Sequence, residues 1–537
     1  QLSYKPTNPV LSPSTRSKLP LKLVFRVHPQ GRSMAGKHVG AAYQDPALSP
    51  PRNVYRDLIR NVAVSRGRYI RQSAHPGSSY SNSSGASSSY CSSASTSATA
   101  EFCTDGDHEL SKIARLMVND GYAWRMVNAF GAGGGPDHAR LETWFLELDV
   151  DWVLQIHQEH GLQRHFQDNP ESSLQELVHK WIRALTVIAV SIKELLTTVV
   201  NERPVVAVFG KASMDKMLVF VDAIIPALKL QALLDMYVCV SSVSSNSASF
   251  YRFKRWTISR EARRILCDID SSLVREERKI REAISRTMGE VKALVEDDDL
   301  WAIDIFRGRG EVHRNTRFMV DCIMPVVKAM GSIPYTKQSH LRRLIDDSVH
   351  HLKDLLVSKS EEHIFDPSLR YLFLLNNFYY SVAQLSGPWP WPGDHWVQTP
   401  ECRKLRDSYL HVSWGHVLSH IRRTDFKDSC LDVSCGPLQF SIPKTPFGGS
   451  HQHRTSSSSL IQVGKFESAF HKTYQTQKFW KVPEPQLRNM LREAIVGKVI
   501  SEYRCYLEKD PELEEYISSR SSSPDALKEM LGELFEG

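Results

Sequence analysis

The chain has 537 residues, 41% of them hydrophobic, which is enough for several folded domains with sizeable cores. No apolar run approaches the roughly 20 residues that a membrane-spanning helix needs. Nine scattered cysteines without a C-x-x-C pair predict reduced thiols in a cytosolic protein. The net charge of +7 is uneven, because residues 1–72 alone carry +11 and leave the remainder at −4. Nucleic acid is therefore excluded as a predicted partner.

The composition of the first 105 residues predicts a disordered segment. Residues 1–72 are rich in Pro, Ser and Arg, and we predict a basic disordered tail, with Met34 as a candidate start. Residues 73–105 form a predicted Ser-rich linker, in which 13 of the 27 residues from Ser73 to Thr99 are serine. A phosphorylated tether is the alternative for this linker. An Arg- and Ser-rich beginning is also typical of an organelle transit peptide.

From Asp107 onward, apolar residues recur at helical spacing. A capping box at Ser173–Glu176 opens the clearest helix, and only Pro204–Gly210 has a strand-like preference. A lone strand forms no sheet, so we expect a loop or a distorted helix there. The other helical patterns cover Met214–Val240, Ser259–Val295, Val312–Ala329, Ser339–Ser358, Ser368–Leu385, Cys402–Arg423 and two segments after Lys465.

These patterns predict an all-α protein, an elongated rod of stacked antiparallel helical bundles. The expected units are an N-terminal bundle at 106–240, a middle bundle at 241–385 and C-terminal bundles at 386–537, with a loop at 436–459. Charged runs such as Arg275–Lys279 are expected on solvated helix faces.

No cluster of residues predicts catalysis or metal binding. The glycines of Gly131–Pro136 follow a helical pattern and lack G-K-[ST], so we interpret them as a helix–helix linker rather than a phosphate loop. Asp149 and Asp151 are expected to face solvent. The remaining candidates, none with a third ligand type or an activating neighbour, are His350, His351, His451, His453, Cys430, Cys435, Asp346 and Asp347. We predict no enzyme activity, no cofactor and no metal.

Two C-terminal features are candidates for binding. Pro483 and Pro485 mark a helix start, after which an apolar stripe runs from Leu487 to Leu507 with bases beside it. The candidate membrane-binding residues are Lys465, Lys472, Lys478, Lys481, Arg488, Arg492, Lys498 and Arg504. Trp389 and Trp391 lie in a proline-rich loop, where they either fill the seam between bundles or bind a partner peptide.

Nine short motifs fall in the order of a known family. They are Leu233–Tyr237, Val312–Phe318, Leu369–Tyr380, Asp394–Trp396, Ser413–Leu418, Phe466–Glu467, Trp480–Pro483, Gln486–Arg488 and Leu534–Gly537. Over residues 107–537 the chain resembles the plant branch of the seventy-kilodalton exocyst subunit family. The sequence departs from the family pattern at Arg314 and Asn315, which replace Pro and Leu.

The resemblance implies a rod of helical bundles that helps tether secretory vesicles to the plasma membrane before exocytosis. Implied partners are the other exocyst subunits, anionic phosphoinositide membranes, Rho-type small GTPases, and pathogen effectors or immune receptors. The implied location is cytoplasmic and peripheral at the plasma membrane.

Two departures keep other functions open. Heptads that would pair with other subunits are missing before Asp107, and Glu515 and Ser518 stand where the animal family has lipid-binding lysines. A diverged relative that acts as an adaptor or decoy in plant immunity is the alternative function. An organelle-imported scaffold is the third.

Overall fold

The chain is described here from a computed structural model, which covers residues 54–62, 105–156, 174–199, 203–253, 259–385, 399–422, 455–518 and 522–536. The first eight helices are α1 Val54–Arg60, α2 Asp105–Asn119, α3 Tyr122–Ala132, α4 Asp137–Glu147, α5 Leu174–Thr198, α6 Arg203–Ile224, α7 Leu230–Phe253 and α8 Arg260–Glu296. The others are α9 Trp301–Gly308, α10 Arg314–Gly331, α11 Ser339–His363, α12 Pro367–Leu385, α13 Pro400–Ser419, α14 Thr455–Gln477, α15 Pro485–Leu507, α16 Pro511–Ser518 and α17 Pro524–Gly532.

The predicted all-α fold is confirmed. Regular structure in the described ranges is helical apart from one isolated bridge between Lys481 and Glu536. Local sequence sets several helix starts: the side chains of Ser259, Thr399 and Ser523 each accept a hydrogen bond from a backbone N–H of the first turn. The glycine-rich linker is also confirmed, because α3 ends at Ala132 and α4 begins after Pro136.

The expectation of a loop or distorted helix at Pro204–Gly210 is wrong. These residues open α6, a continuous helix. Val206 and Phe209 are buried there, and Gly210 approaches Ile192 of α5 so closely that an added Cβ would lie 2.9 Å from its Cδ1. Packing against α5 and α8 therefore overrides the strand preference of the β-branched residues.

Proline divides two predicted helical segments further. The pattern Met214–Val240 is two helices separated by a 3₁₀ turn at Ile225–Ala227, since Pro226 has no N–H to donate. The two helices expected after Lys465 are four, because Pro511 and Pro524 each begin a new helix.

Helices pack in the order of the chain. α5, α6, α7 and α8 form one group. α10 packs against α7 and α8, α11 packs against α8 and α10, and α12 packs against α10 and α11. Then α12 packs on α13, and α13 on α14 and α15. α7 runs through position 240, the predicted bundle boundary, and α8, with 37 residues, contacts helices on both sides. At about 1.5 Å per residue, α8 is roughly 55 Å long and joins the first two groups.

The predicted solvated charges on α8 include two buried carboxylates. Glu276 and Glu277 are 2% and 6% exposed. Glu277 bonds Lys337 at 2.7 Å and Ser241 at 3.1 Å, so it ties α8 to α7 and to the turn before α11. Part of this charged run therefore connects helices instead of facing solvent. Its carboxylates can be buried because their hydrogen-bond partners offset the free-energy cost of desolvation.

The predicted disorder of the tail is wrong for one segment. Val54–Arg60 is helical and packs on α2, α4 and α5. Asp149, expected to face solvent, has a side chain only 5% exposed and binds this helix.

Candidate functional site

Several of the family-like motifs meet at one place, which we call the motif junction: residues 309–317 together with Asn376, Asn377, 480–483 and 534–536. Asn377 Oδ1 accepts hydrogen bonds from the backbone N–H of His313 at 2.9 Å and from Thr316 Oγ1 at 2.6 Å. All three residues are buried. These bonds fix the start of α10 to the middle of α12.

The neighbouring Asn376 extends the junction to the segment before α15. Its Nδ2 donates to the carbonyls of Gly310 at 2.6 Å and Lys481 at 2.9 Å, while the Lys481 N–H donates to the Arg309 carbonyl at 3.0 Å. The backbone turns sharply here, with φ of 46° at Arg309 and 91° at Gly310. Glycine suits that second position, because side chains rarely adopt this conformation.

His313 is held neutral within the junction. Its ring stacks on Trp301 with centroids 3.9 Å apart and an interplanar angle of 4°. Nδ1 accepts from the N–H of Asn315 at 3.1 Å and caps α10. Burial lowers the pKa of His313 to about 4, with Asp304 opposing and Arg314 reinforcing the shift. The ring therefore acts as a cap and packing group.

The final residues close the junction. The Leu534 carbonyl accepts from Arg492 Nε at 2.9 Å, and the ring of Phe535 packs on Tyr409 with centroids 6.4 Å apart. Tyr409, fully buried, also donates to Gln477 Oε1 at 2.6 Å. Residues far apart in the chain are thereby fastened to one another, which suits a rigid scaffold.

Four of the eight candidate membrane-binding bases have structural partners. Arg488 donates to the Val482 carbonyl at 2.9 Å, and Arg504 pairs with Asp525 at 2.6 Å. Arg492 binds the chain terminus as described above, and Lys481 Nζ lies 3.6 Å from Glu311. The guanidinium groups of Arg488 and Arg492 hold backbone carbonyls, so these two bases stabilise the fold around α15.

The other four bases are more available. Lys478 Nζ lies 5.1 Å from the centroid of the Phe479 ring, a cation–π arrangement. In the part of the chain that the structure describes, Lys465, Lys472 and Lys498 have no hydrogen bond or ion pair. Lys465 and Lys472 are exposed and seven residues apart on α14, which places them on one face.

The remaining predicted positions are divided between core, surface and undescribed segments. Trp181 and Trp414 are fully buried in the helical core. Glu515 is exposed on α16, so its acidic group faces solvent. Trp389 and Trp391 lie outside the described residues.

Within the described ranges there is no group of three or more His, Cys, Asp or Glu placed to hold a metal ion. In the same ranges, no helix combines the length and apolar character needed to cross a membrane.

Bundled helices fastened by buried side-chain hydrogen bonds define a helical scaffold protein. Residues 178–533 match a family model that describes the C-terminal part of Exo70, a component of the exocyst complex. The chain belongs to this family, which confirms the resemblance found in the sequence.

The individual relatives share low sequence identity with this chain. Exocyst complex component EXO70A1 of Arabidopsis thaliana is 24% identical over 61% of this chain and 50% of its own length. EXO70B2 of the same plant is 22% identical over 78% of the chain and 65% of its own length. The chain thus spans about half to two thirds of these relatives. A solved structure of S. cerevisiae Exo70 aligns at 12% identity over 80% of each chain with a TM-score of 0.42.

Proposed function

We propose that this protein is an exocyst-type subunit that helps tether secretory vesicles to the plasma membrane before exocytosis. The family match over residues 178–533 is the observation that carries the proposal. Its proposed partners are the other exocyst subunits, and its proposed location is the cytoplasm and the inner face of the plasma membrane.

The motif junction supports this role on physical grounds. A tether must transmit force between two membranes without its bundles separating. Buried Asn376 and Asn377 connect α10, α12 and the segment before α15, and parting these elements would leave several buried polar groups unpaired. The middle and C-terminal helices are therefore expected to move as one body.

We propose the outer face of α14 as the membrane-contacting surface. Ile461, Lys465 and Lys472 share that face, and Ile461 is 60% exposed. Phe479, two residues after the end of the helix, is 49% exposed. Each base near an anionic bilayer contributes about 1 kcal/mol. Two free lysines beside exposed apolar side chains suit weak, reversible attachment to phosphoinositide headgroups.

Affinity purification of the full chain from its own cells, followed by quantitative mass spectrometry, tests subunit function. We expect the other exocyst subunits in comparable amounts, and the same experiment detects Rho-type small GTPases. Reproducible recovery of immune receptors or pathogen effectors without any exocyst subunit would overturn the tethering function and favour an immune adaptor.

Cosedimentation with vesicles tests the membrane surface separately. Phosphatidylcholine vesicles with and without phosphatidylinositol bisphosphate are compared for the full chain and for Lys465→Glu/Lys472→Glu. We expect the double variant to lose most of the phosphoinositide-dependent binding, because two attractive charges become repulsive. Lys328→Glu/Lys404→Glu, which changes two exposed lysines on α10 and α13, is the matched control and should bind as the parent does. Equal binding of all variants would contradict this surface.

A further inference from the structure

Helix α1 occupies a groove formed by α2, α4 and α5. Its two inward side chains, Tyr55 and Ile59, are 7% and 1% exposed, whereas Val54 and Leu58 on the opposite side are above 40%. The ring of Tyr55 contacts that of Tyr122 in α3, with centroids 5.2 Å apart and the ring planes tilted by 46°. The contact is thus an amphipathic helix whose apolar face is buried in a groove between helices.

The groove binds α1 through three carboxylates. Asp149 Oδ1 accepts from Arg56 at 2.7 Å and from Arg60 at 2.6 Å. Glu147 Oε1 accepts the backbone N–H groups of Tyr55 at 2.9 Å and Arg56 at 3.2 Å, so a side chain of the groove caps the helix. Asp120 accepts the Tyr55 hydroxyl at 2.6 Å.

Removing α1 would leave these acids without most of their partners. Asp149 would keep Lys180, 3.3 Å away, and Glu147 would lose both N–H groups. Arg183, which donates to the Val62 carbonyl at 3.2 Å, would lose that acceptor. The groove therefore favours an occupant that brings a free helix N-terminus and two bases, rather than any apolar helix.

Two properties make α1 replaceable. It has only 7 residues, well below the roughly 12 to 15 at which an isolated helix becomes stable, so its helical form depends on the groove. It is also separated from α2 by 44 residues, 61–104, which is more than a direct connection requires.

We propose that this groove is a docking site for a short basic amphipathic helix of a partner protein, with the pattern Tyr-Arg-x-x-Ile-Arg, and that α1 fills it until the partner displaces it. The apolar pair of the partner helix takes the places of Tyr55 and Ile59, and its two bases bind Asp149. Its first turn is capped by Glu147.

A peptide titration on the full chain tests the proposal. The probe is a fluorescent peptide with the sequence of residues 52–62, and the receptor is the chain with α1 disabled by Ile59→Asp/Arg60→Glu. We expect anisotropy to show binding at least about 10-fold tighter than to the parent chain, whose groove is already filled. Adding Asp149→Asn should weaken that binding by about 10-fold or more. Asparagine tolerates the left-handed conformation of Asp149, with φ of 61°.

Controls distinguish recognition from non-specific attraction. Asp151→Asn removes a carboxylate 4.0 Å from Arg56 and should change binding little. A second peptide that keeps only the Tyr, Ile and two Arg positions, with alanine elsewhere, should compete with the first. If the chain with Ile59→Asp/Arg60→Glu loses helicity, the chain with Arg56→Gln/Arg60→Gln serves as the receptor instead. Equal binding to parent and disabled chains, or binding that ignores Asp149→Asn and the pattern, would overturn the proposal.

Discussion

The motif junction and the α1 groove are both places where distant parts of the chain are fastened, but they use different forces. The junction relies on buried, mostly neutral hydrogen bonds from Asn376 and Asn377. The groove combines the buried side chains of Tyr55 and Ile59 with charged contacts, in which Arg60 is 44% exposed. When a partly exposed ion pair breaks, water solvates its charged groups at little cost in free energy. When a buried side-chain amide loses its hydrogen bonds, its partners are left unsatisfied and the cost is larger. The junction is therefore suited to permanence and the groove to exchange.

The largest effect is expected for Asn377→Leu. This change keeps the approximate volume but leaves the His313 N–H and the Thr316 hydroxyl buried without an acceptor. Each unmade bond costs about 1–3 kcal/mol, so the free energy of unfolding should fall by about 3 kcal/mol. Urea unfolding followed by circular dichroism measures it.

Asn489→Leu, the same change at an exposed position of α15, is the control and should stay within about 0.5 kcal/mol of the parent. Equal stabilities for the two variants would show that the junction contributes little.

An effect of similar size is expected from pH. The pKa of His313 is lowered by burial from 6.5 to about 4, so the unfolded chain takes up its proton first as the pH falls. Stability is complete above about pH 6.5 and is lost progressively down to about pH 4, by up to about 3 kcal/mol. His340, whose pKa burial also lowers to about 4, adds in the same direction.

His313→Asn isolates the contribution of this residue, because asparagine still caps a helix but does not titrate. The fall in melting temperature between pH 7 and pH 4.5 should be shallower than in the parent. The exposed control His350→Asn should keep the parent slope. An unchanged slope for His313→Asn would remove His313 from the pH response.

The smallest global effect is expected for Arg56→Gln/Arg60→Gln. The change frees α1 yet leaves the main core intact, so the melting temperature should shift by only about 1–2 °C. Chymotrypsin cleavage at Tyr55 and Leu58 should become several-fold faster. Arg422→Gln breaks the exposed pair with Glu502 and is the control that should leave this cleavage unchanged. A large loss of melting temperature would instead make α1 part of the permanent core.

Most helices could be predicted from the sequence alone, because a long stripe of apolar residues at helical spacing, as in α8, indicates a helix with one buried face. It failed at α1 because a 7-residue helix in an Arg- and Ser-rich tail has too little periodicity to stand out. It also failed at Pro204–Gly210, where burial between helices outweighs local preference.

The candidate site was only partly predictable. The motifs identified Val312–Phe318 and Leu369–Tyr380 as informative, yet no spacing rule shows that Asn377 meets His313, because that contact depends on how α10 and α12 pack. In the same way, positive charge in the sequence identified eight C-terminal residues as candidates for membrane binding. Only the structure separates Arg492, which holds the chain terminus, from Lys465 and Lys472 on an open face.

Hydrogen–deuterium exchange of the full chain, read by mass spectrometry, tests the contrast between the two regions most directly. We predict that amides of 54–62 exchange within the earliest times, while those of 309–317 and 370–380 stay protected for orders of magnitude longer. Protection of α1 as strong as that of the junction would contradict an exchangeable groove, and rapid exchange in 309–317 would contradict a permanent junction.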